Sequence, residues 1–565
     1  MKGRNRAKMQ GLWNFPIKVL LIIKYMYKKK SNQQGVENCS TPPLKAGERF
    51  SPVNVLFITA LISLVTLVPL WSADVPPLLD YHNHLARQYI LEQLPNSEIL
   101  QSFYKIEWRA SPYLVMDVIV QLFSRFMSVA AAGKIFLSFT LLLVALAPVA
   151  LNIALFGRVT PISLVGLLFT YSTTLTLGFV NFLFSVGFAL CLFSLWILKR
   201  ESSYWMKLAV FSLMSTLLFF SHLIGFCIYF LLVGTFELSR HIDKYDQPTL
   251  RALLSFDSSQ QVSLISLGLQ CAIPLTIFFL YGPSSEGVSS NTYGDIWRKI
   301  ELIVSIFSYL IPPYSWTLDR ILTSGMTALV PLLLLMQKIT ISKQIKWSLF
   351  AMLLLFFVMP MELFSGWGAD QRLLTPIGLL FVGSLTPNSG NRTIWLFITA
   401  FIAMILLVRT TVITNEWRKT NNEDYAEYFK AFESLRDGSK VYFAFGHAEK
   451  QQIWPRPVYH LPHLALKTRQ VYLPYLFTTK SGTIPLQYAE DLAQLQRLSP
   501  GPVLMYGESP NWSALLNEYD FFLLVNEQYF KIPVPDELVP VYQGDKVKVY
   551  KSLDSKNRGN EWKIR

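Results

Sequence analysis

The sequence predicts a mainly α-helical, polytopic membrane protein with a small α/β domain at its C-terminal end. Three observations predict it. Hydrophobic residues make up 52% of the 565-residue chain and charged residues only 16%, against about 25% charged in a soluble domain. Apolar runs of near-spanning length recur from residue 53 to residue 409. After Arg409 the composition turns polar, and short alternating runs replace the long ones.

Ahead of the first apolar run lies a basic tail, residues 1–52, with eleven Lys/Arg against two acids. It contains KYMYKKK (Lys24–Lys30). Beside a membrane such a cluster marks the cytoplasmic side and touches anionic lipid. Leu12–Tyr27 is apolar but short, and Lys18 and Lys24 interrupt it. It reads as an interfacial helix, without the unbroken core and cleavage site of a signal peptide. The net charge of +14 is therefore a topological signal, and no nucleic-acid partner is expected.

A span needs roughly 20 apolar residues, fewer where its flanks snorkel. Eleven candidates meet this: 53–71, 135–156, 161–177, 180–198, 205–220, 222–238, 261–281, 322–337, 347–364, 373–386 and 393–409. With the basic tail inside, residues 72–134, 282–321 and 365–372 and the C-terminal domain, 410–565, lie outside. The inside connections are short and basic, with Lys199, Arg200, Arg240, Lys244, Lys338 and Lys343. That matches the positive-inside rule. The N-terminus is then cytoplasmic and the C-terminal domain extracytoplasmic.

The long outer loops carry helical patterns. Tyr113–Ser128 places Asp117, Gln121, Ser124, Arg125 and Ser128 on one face and apolar residues on the other. It predicts an amphipathic helix lying along the membrane surface. Ile296–Trp316 resembles it and is broken by Pro312 and Pro313. In the C-terminal domain, 441–445, 471–477, 502–506 and 521–525 read as strands. Residues 489–497 and 512–519 read as helices, and 539–551 as a final hairpin turning at Gly544. The cysteines are Cys39, Cys191, Cys227 and Cys271. None lies in this domain, so disulfides do not hold it together, and no pair has metal-site spacing.

The polar residues of greatest interest follow the first span. Pro76 and Pro77 suit a helix entry, and Asp80, Asn83, His84 and Arg87 then fall at i, i+3, i+4 and i+7 on one face. The bland alternative is a solvated surface helix. Ionisable groups at the bilayer edge are costly unless paired or used, which favours function. His82 and His84 point apart by roughly 200° on a helix, so they cannot easily share one ion.

DYHNHLAR (Asp80–Arg87) and this layout resemble the C-type (GT-C) integral-membrane glycosyltransferases. That family has many spans, surface helices in a first outer loop, an acidic motif after the first span and often an outer C-terminal domain. DYHNHLAR puts Asp80, His84, Ala86 and Arg87 in positions similar to the family's first-loop motif. It is also similar to a D-x-P-N-H-x-A-R signature of bacterial members, with His82 in place of the proline. Tyr81 stands where many members have a second acid. GFVNFLFSVGFAL (Gly178–Leu190), SHLIGF (Ser221–Phe226) and GADQRLLTP (Gly368–Pro376) resemble later segments of the same group.

The resemblance implies an envelope enzyme of the bacterial inner (plasma) membrane. It would take sugar from a polyprenyl-phosphate donor and give it to a glycan, lipid or protein acceptor on the extracytoplasmic face. Such transfer needs a base for the acceptor's proton, fixed positive charge for the leaving phosphate and an apolar groove for the carrier. Asp80 is the candidate base and Asp117 the second catalytic candidate. Arg372 is the candidate phosphate ligand, with pairing to neighbouring Asp370 as its alternative. Arg87, Asn83, His84 and His222 are further substrate-binding candidates. Tyr309, Tyr314 and Trp316 could stack on sugar or carrier. No cofactor is required and no residue is assigned as a metal ligand; Mg2+ or Mn2+ at Asp80 stays open. The competing classes are a transporter of lipid-linked or polar cargo and a non-catalytic envelope assembly or sensor protein.

Overall fold

The computed structural model describes residues 59–61, 63–200, 202–243, 258–281, 292–304, 306, 317–363, 366–388, 392–448, 457–478, 484–492, 495, 501–504 and 507–553. The basic tail, Tyr309, Tyr314 and Trp316 lie outside them. Six described helices are long and apolar enough to cross a membrane: Val129–Phe156, Val180–Leu198, Tyr204–Ser221, Leu223–Ile242, Gln261–Tyr281 and Thr393–Glu433. Two of the other expected spans are short helices. Lys346–Val358 and Leu374–Gly383 are helices of 13 and 10 residues.

One expected span takes a different form. Residues 161–177 form a 3-10 helix, Pro161–Tyr171, followed by a four-residue α-helix, Thr173–Thr176. Every residue of the 3-10 helix is buried. The Ser163 and Thr170 hydroxyls donate to the carbonyls of Thr160 and Leu167, both at 2.7 Å. The carbonyls of Leu168 and Tyr171 accept from the Arg409 guanidinium, a cation on the orphan acceptors of a helix C-terminus.

Small residues let the spans approach closely, as packing in lipid requires. Val180–Leu198 lies against Val129–Phe156 at Gly187, where a Cβ would sit 2.7 Å from Leu143 Cβ. Glu237 inside the bundle is paired twice. Trp196 Nε1 donates to Glu237 at 2.8 Å, and Glu237 also accepts from Arg240 at 3.0 Å.

The last long helix carries the chain out of the bundle. Arg392–Thr420 is α-helical, Asn421–Tyr425 makes a π-turn and Ala426–Glu433 resumes the α-helix. Its 41 residues from Thr393 rise roughly 60 Å at about 1.5 Å each, twice a hydrocarbon core of about 30 Å. The change of composition at residue 410 therefore falls inside a helix, and a rigid rod joins the two parts.

The strands run β1 Tyr104–Ile106, β2 Ile339–Ile341, β3 Glu362–Leu363, β4 Gly366–Trp367, β5 Leu385–Pro387, β6 Val441–Gly446, β7 Leu486–Tyr488, β8 Val503–Leu504, β9 Phe521–Val525, β10 Leu538–Gln543 and β11 Val547–Ser552. The C-terminal sheet has the order β10-β11-β9-β6-β8. Strands β6, β8 and β9 are parallel, and the β10–β11 hairpin adds antiparallel strands. β6 and β9 are buried at every residue, as parallel strands covered on both faces must be. The hairpin closes at Gly544, whose N–H donates to Val547 O at 2.9 Å. Residues 471–477 are not a strand; they make one bridge, Tyr472 to Lys440. The expected helix 489–497 appears as a 3-10 turn, Glu490–Leu492, with most of the rest outside the described residues. The 512–519 helix is confined to Trp512–Leu515.

The segment 72–134 and the C-terminal domain pack together. β1 of the loop pairs with β7 of the domain, Tyr104 opposite Tyr488. A single hydrophobic cluster includes Tyr81 and Leu85 of the loop, Leu141 of the bundle, and Leu461 and Phe443 of the domain.

Candidate active site

The stripe predicted after Pro76 and Pro77 lies on the helix Leu79–Gln93. It is not solvated. Asn83 is fully buried and Arg87 is 1% exposed, because the C-terminal domain packs its 3-10 helix Pro457–Lys467 across this face. Its residues meet three neighbours: that helix, the amphipathic helix and the loop between spans at Gly178.

Asp80 stands in the first turn, where the helix N-terminus favours a carboxylate. Its N–H donates to Leu177 O at 3.1 Å. The chain passes this point because Gly178 is a glycine. Its φ is +81°, and a Cβ there would lie 2.5 Å from Asp80 N. The Asp80 side chain is 19% exposed, and its Oδ1 lies 3.7 Å from His460 Nε2. Burial raises the Asp80 carboxyl to about 7, with Arg372 pulling the other way.

Arg372 closes a four-residue helix, Ala369–Arg372. It donates to Trp367 O at 3.0 Å and lies 3.7 Å from the centre of the Phe179 ring. Its charge acts on Asp80, Tyr113 and His222. Asp370 is not its partner. Asp370 is buried and pairs with Arg298 at 2.9 Å, and Arg298 also reaches Gln371 Oε1 at 3.3 Å. Lys299 anchors the same outer-loop helix, Ile296–Val304, by donating to the carbonyls of Phe356, Phe357 and Met359.

The other predicted residues have definite partners. Asp117 Oδ1 accepts from Arg87 Nε at 2.9 Å and from Gln88 Nε2 at 2.5 Å. The polar face of the amphipathic helix, Val115–Ser124, thus meets the first-loop helix rather than an open cavity. Its opposite side leaves Val118, Leu122 and Phe126 exposed, an apolar ridge suited to a membrane surface. Asn83 bridges Tyr475 O and Phe477 N. His84 contacts Arg87 at 3.3 Å and the Phe477 ring edge-on. His222 caps the helix Leu223–Ile242 by accepting from Ile224 N at 3.1 Å, and Tyr113 packs edge-on to it.

His82 points away from the stripe, as helical spacing predicts. Its Nδ1 meets Pro457 O at 2.9 Å and its Nε2 meets Tyr425 OH at 3.2 Å. Burial holds it neutral, lowered to about 3. Nδ1 therefore carries the proton and Nε2 accepts from tyrosine. One turn earlier on the long helix, Asn421 accepts from Val75 N and donates to Val75 O, both at 2.9 Å. The π-turn rivets the rod to the base of the site.

Among the described residues no group of three or more His, Cys, Asp and Glu side chains could hold a metal ion. The sequence reading missed His460, Arg298 and Phe179. For His460 a signal existed: VYHLPHLAL holds two of the chain's seven histidines three residues apart.

No protein-family model matches the sequence, and no curated protein matches it. The fold has a solved counterpart. ArnT from Cupriavidus metallidurans, in a crystal structure bound to undecaprenyl phosphate, aligns with 88% of this chain and 98% of its own at a TM-score of 0.51 and 11% identity. The chain has a GT-C fold. The likeness extends over 88% of the chain, so the mainly helical, GT-C-like architecture with a sheet-containing C-terminal region is the one observed.

Proposed function

We propose that the protein is a membrane glycosyltransferase moving a sugar from a polyprenyl-phosphate carrier to an acceptor hydroxyl or amine, on the extracytoplasmic face. The observation that carries this reading is a partly exposed Asp80 carboxyl within the field of the Arg372 charge in a GT-C fold. A carboxyl near 7, only partly exposed, shares one site with a guanidinium stacked on Phe179. Asp80 takes the acceptor's proton as the acceptor attacks the anomeric carbon, and the bond from that carbon to the phosphate oxygen breaks. Arg372 stabilises the departing phosphate, since a fixed cation costs no reorganisation during the step. A base near neutral pH balances ionised fraction against basicity.

Arg87 and Asp117 position the helix that bears Asp80. His84, His222 and Asn83 shape the wall around it, and Asp370 holds Arg298 at the rim. Tyr309, Tyr314 and Trp316 are offered as stacking surfaces for sugar or carrier. The solved counterpart's undecaprenyl phosphate supports a polyprenyl carrier here. The acceptor is a glycan, lipid or protein of the cell envelope. The step needs no cofactor; Mg2+ or Mn2+ at Asp80 would draw its other ligands from water and phosphate.

The test uses purified protein in liposomes, a panel of labelled polyprenyl-phosphate sugars and an envelope extract as acceptor. Wild type is expected to transfer label, and Asp80→Asn to lose at least about a hundredfold, the usual scale for a positioned base. Undiminished transfer by the variant would remove Asp80 from the role. Label that crosses the bilayer without transfer would make the protein a transporter.

A further inference from the structure

Asn83 settles the orientation of more than itself. Its Oδ1 accepts from Phe477 N–H at 2.8 Å and its Nδ2 donates to Tyr475 O at 2.9 Å. Flipping the amide would set donor against donor and acceptor against acceptor, so only one orientation fits. The other Nδ2 hydrogen then faces His460 Nδ1, at 3.5 Å. A ring nitrogen facing a donor offers its lone pair. In a neutral imidazole the proton is then on Nε2, the nitrogen that faces Asp80 Oδ1 at 3.7 Å.

The neighbourhood keeps the ring neutral. His463 from the same 3-10 helix and His82 and His84 from the first-loop helix surround His460, and all four are lowered by burial. His82 and His463 are each held by backbone carbonyls. The charge of Arg372 also acts on Asp80, favouring the ionised carboxylate. The ring is also fixed in place, edge-on to Phe477 at 5.3 Å.

We propose that His460, supplied by the C-terminal domain, is a positioning residue for Asp80: it directs Nε2–H at Oδ1, favours the ionised carboxylate and leaves Oδ2 to receive the acceptor's proton. The imidazole stays neutral throughout, and the only proton transferred goes from acceptor to Asp80. At 3.7 Å the contact is longer than a formed hydrogen bond, and contacts of this kind tighten in the substrate complex. The C-terminal domain is then part of the catalytic apparatus. This inference rests on Asp80 being the general base.

The experiment reads the Asp80 carboxyl directly, by infrared titration of the full-length protein in liposomes, with Asp80→Asn identifying its band. His460→Phe keeps the ring and removes the donor. It is expected to raise the Asp80 midpoint by about 1 in pH, since a lost hydrogen bond to the charged form disfavours it. His460→Gln places an amide N–H near the Nε2 position and is expected to keep the wild-type midpoint. His460→Leu, which carries no donor, serves as a second donor-free variant and should behave like His460→Phe. In transfer assays the acid limb of kcat/KM should move with the carboxyl midpoint. An unchanged midpoint in the folded donor-free variants, or a Gln variant displaced as far as they are, overturns the proposal. A displaced midpoint in a protein that transfers no sugar keeps the pairing and overturns the function proposed above.

Discussion

Arg87 and Asp117 form an ion pair at 2.8 Å in which each side chain is 1% exposed. The pair joins the helices Leu79–Gln93 and Val115–Ser124, and Gln88 adds a third contact to the same oxygen. Desolvation makes such a pair a poor source of net stability, but removing one partner strands a buried charge at a cost of about 3–5 kcal/mol. Arg87→Ala and Asp117→Ala are each expected to lower thermal stability in detergent by that order. The double variant Arg87→Met/Asp117→Leu should recover most of it and keep transfer within about tenfold. A double variant that is stable yet inactive would return Asp117 to the catalytic role.

The raised Asp80 carboxyl has opposite consequences for stability and activity. Unfolded, it ionises near 3.8; folded, at about 7. As pH rises between those values the unfolded chain releases its proton first, so the native state loses stability over that window and no more above it. Asp80→Asn removes the loss. Its melting temperature should gain on wild type between about pH 5 and pH 8, while wild-type transfer rises through about 7. An identical gap in melting temperature at both pH values would contradict the buried carboxyl.

Gly178 and Gly157 separate two costs of the left-handed backbone. Both have positive φ, +81° and +67°, but a Cβ at Gly157 meets nothing within 4 Å, whereas at Gly178 it meets Asp80 N at 2.5 Å. Gly157→Ala should cost about 1–2 kcal/mol, the conformational term alone. Gly178→Ala should cost more and also disturb transfer, because the backbone bearing Asp80 must move. Equal melting temperatures for the two variants would mean that the packing at Asp80 is looser than it looks.

Arg372 stacks on Phe179 as a plane, which a lysine ammonium cannot imitate. Arg372→Lys is expected to keep the charge near Asp80 and raise the donor KM about tenfold. Arg372→Ala should cost more and move the acid limb of kcat/KM to higher pH, since the charge that lowers the Asp80 midpoint is gone. Steady-state kinetics across pH with one donor distinguish the two. No movement of the limb in the Ala variant would separate Arg372 from Asp80.

Helical spacing made the first-loop stripe legible, because i, i+3, i+4 and i+7 share a face whatever covers them. It also set His82 apart, and the structure gives that residue its own partners, Pro457 and Tyr425. What covered the stripe was not legible. Asn83 meets Phe477, 394 residues away in sequence, and no local pattern encodes a contact at that range. The 161–177 segment shows a different limit. When every side of a segment is buried, apolar residues occupy all positions and periodicity stops distinguishing one helix type from another. Pairing with Asp370 is the alternative that the sequence offers Arg372, two residues away; the structure gives that carboxylate to Arg298 instead, from a segment 72 residues distant.

The sequence by itself determined the class of this protein. Long apolar runs must be buried or placed in lipid, and short alternating runs after Arg409 point to a sheet-containing region. It also determined which helix would carry Asp80, Asn83, His84 and Arg87, since that follows from the geometry of one turn. Only the tertiary structure decided what each of them meets. Arg87 goes to Asp117, Asn83 to the backbone of the C-terminal domain, and Asp80 to a place near His460 where the Arg372 charge reaches it. Those assignments depend on distances across three separate parts of the chain, and electrostatic and hydrogen-bond energies are set by such distances and by burial, neither of which a linear pattern contains.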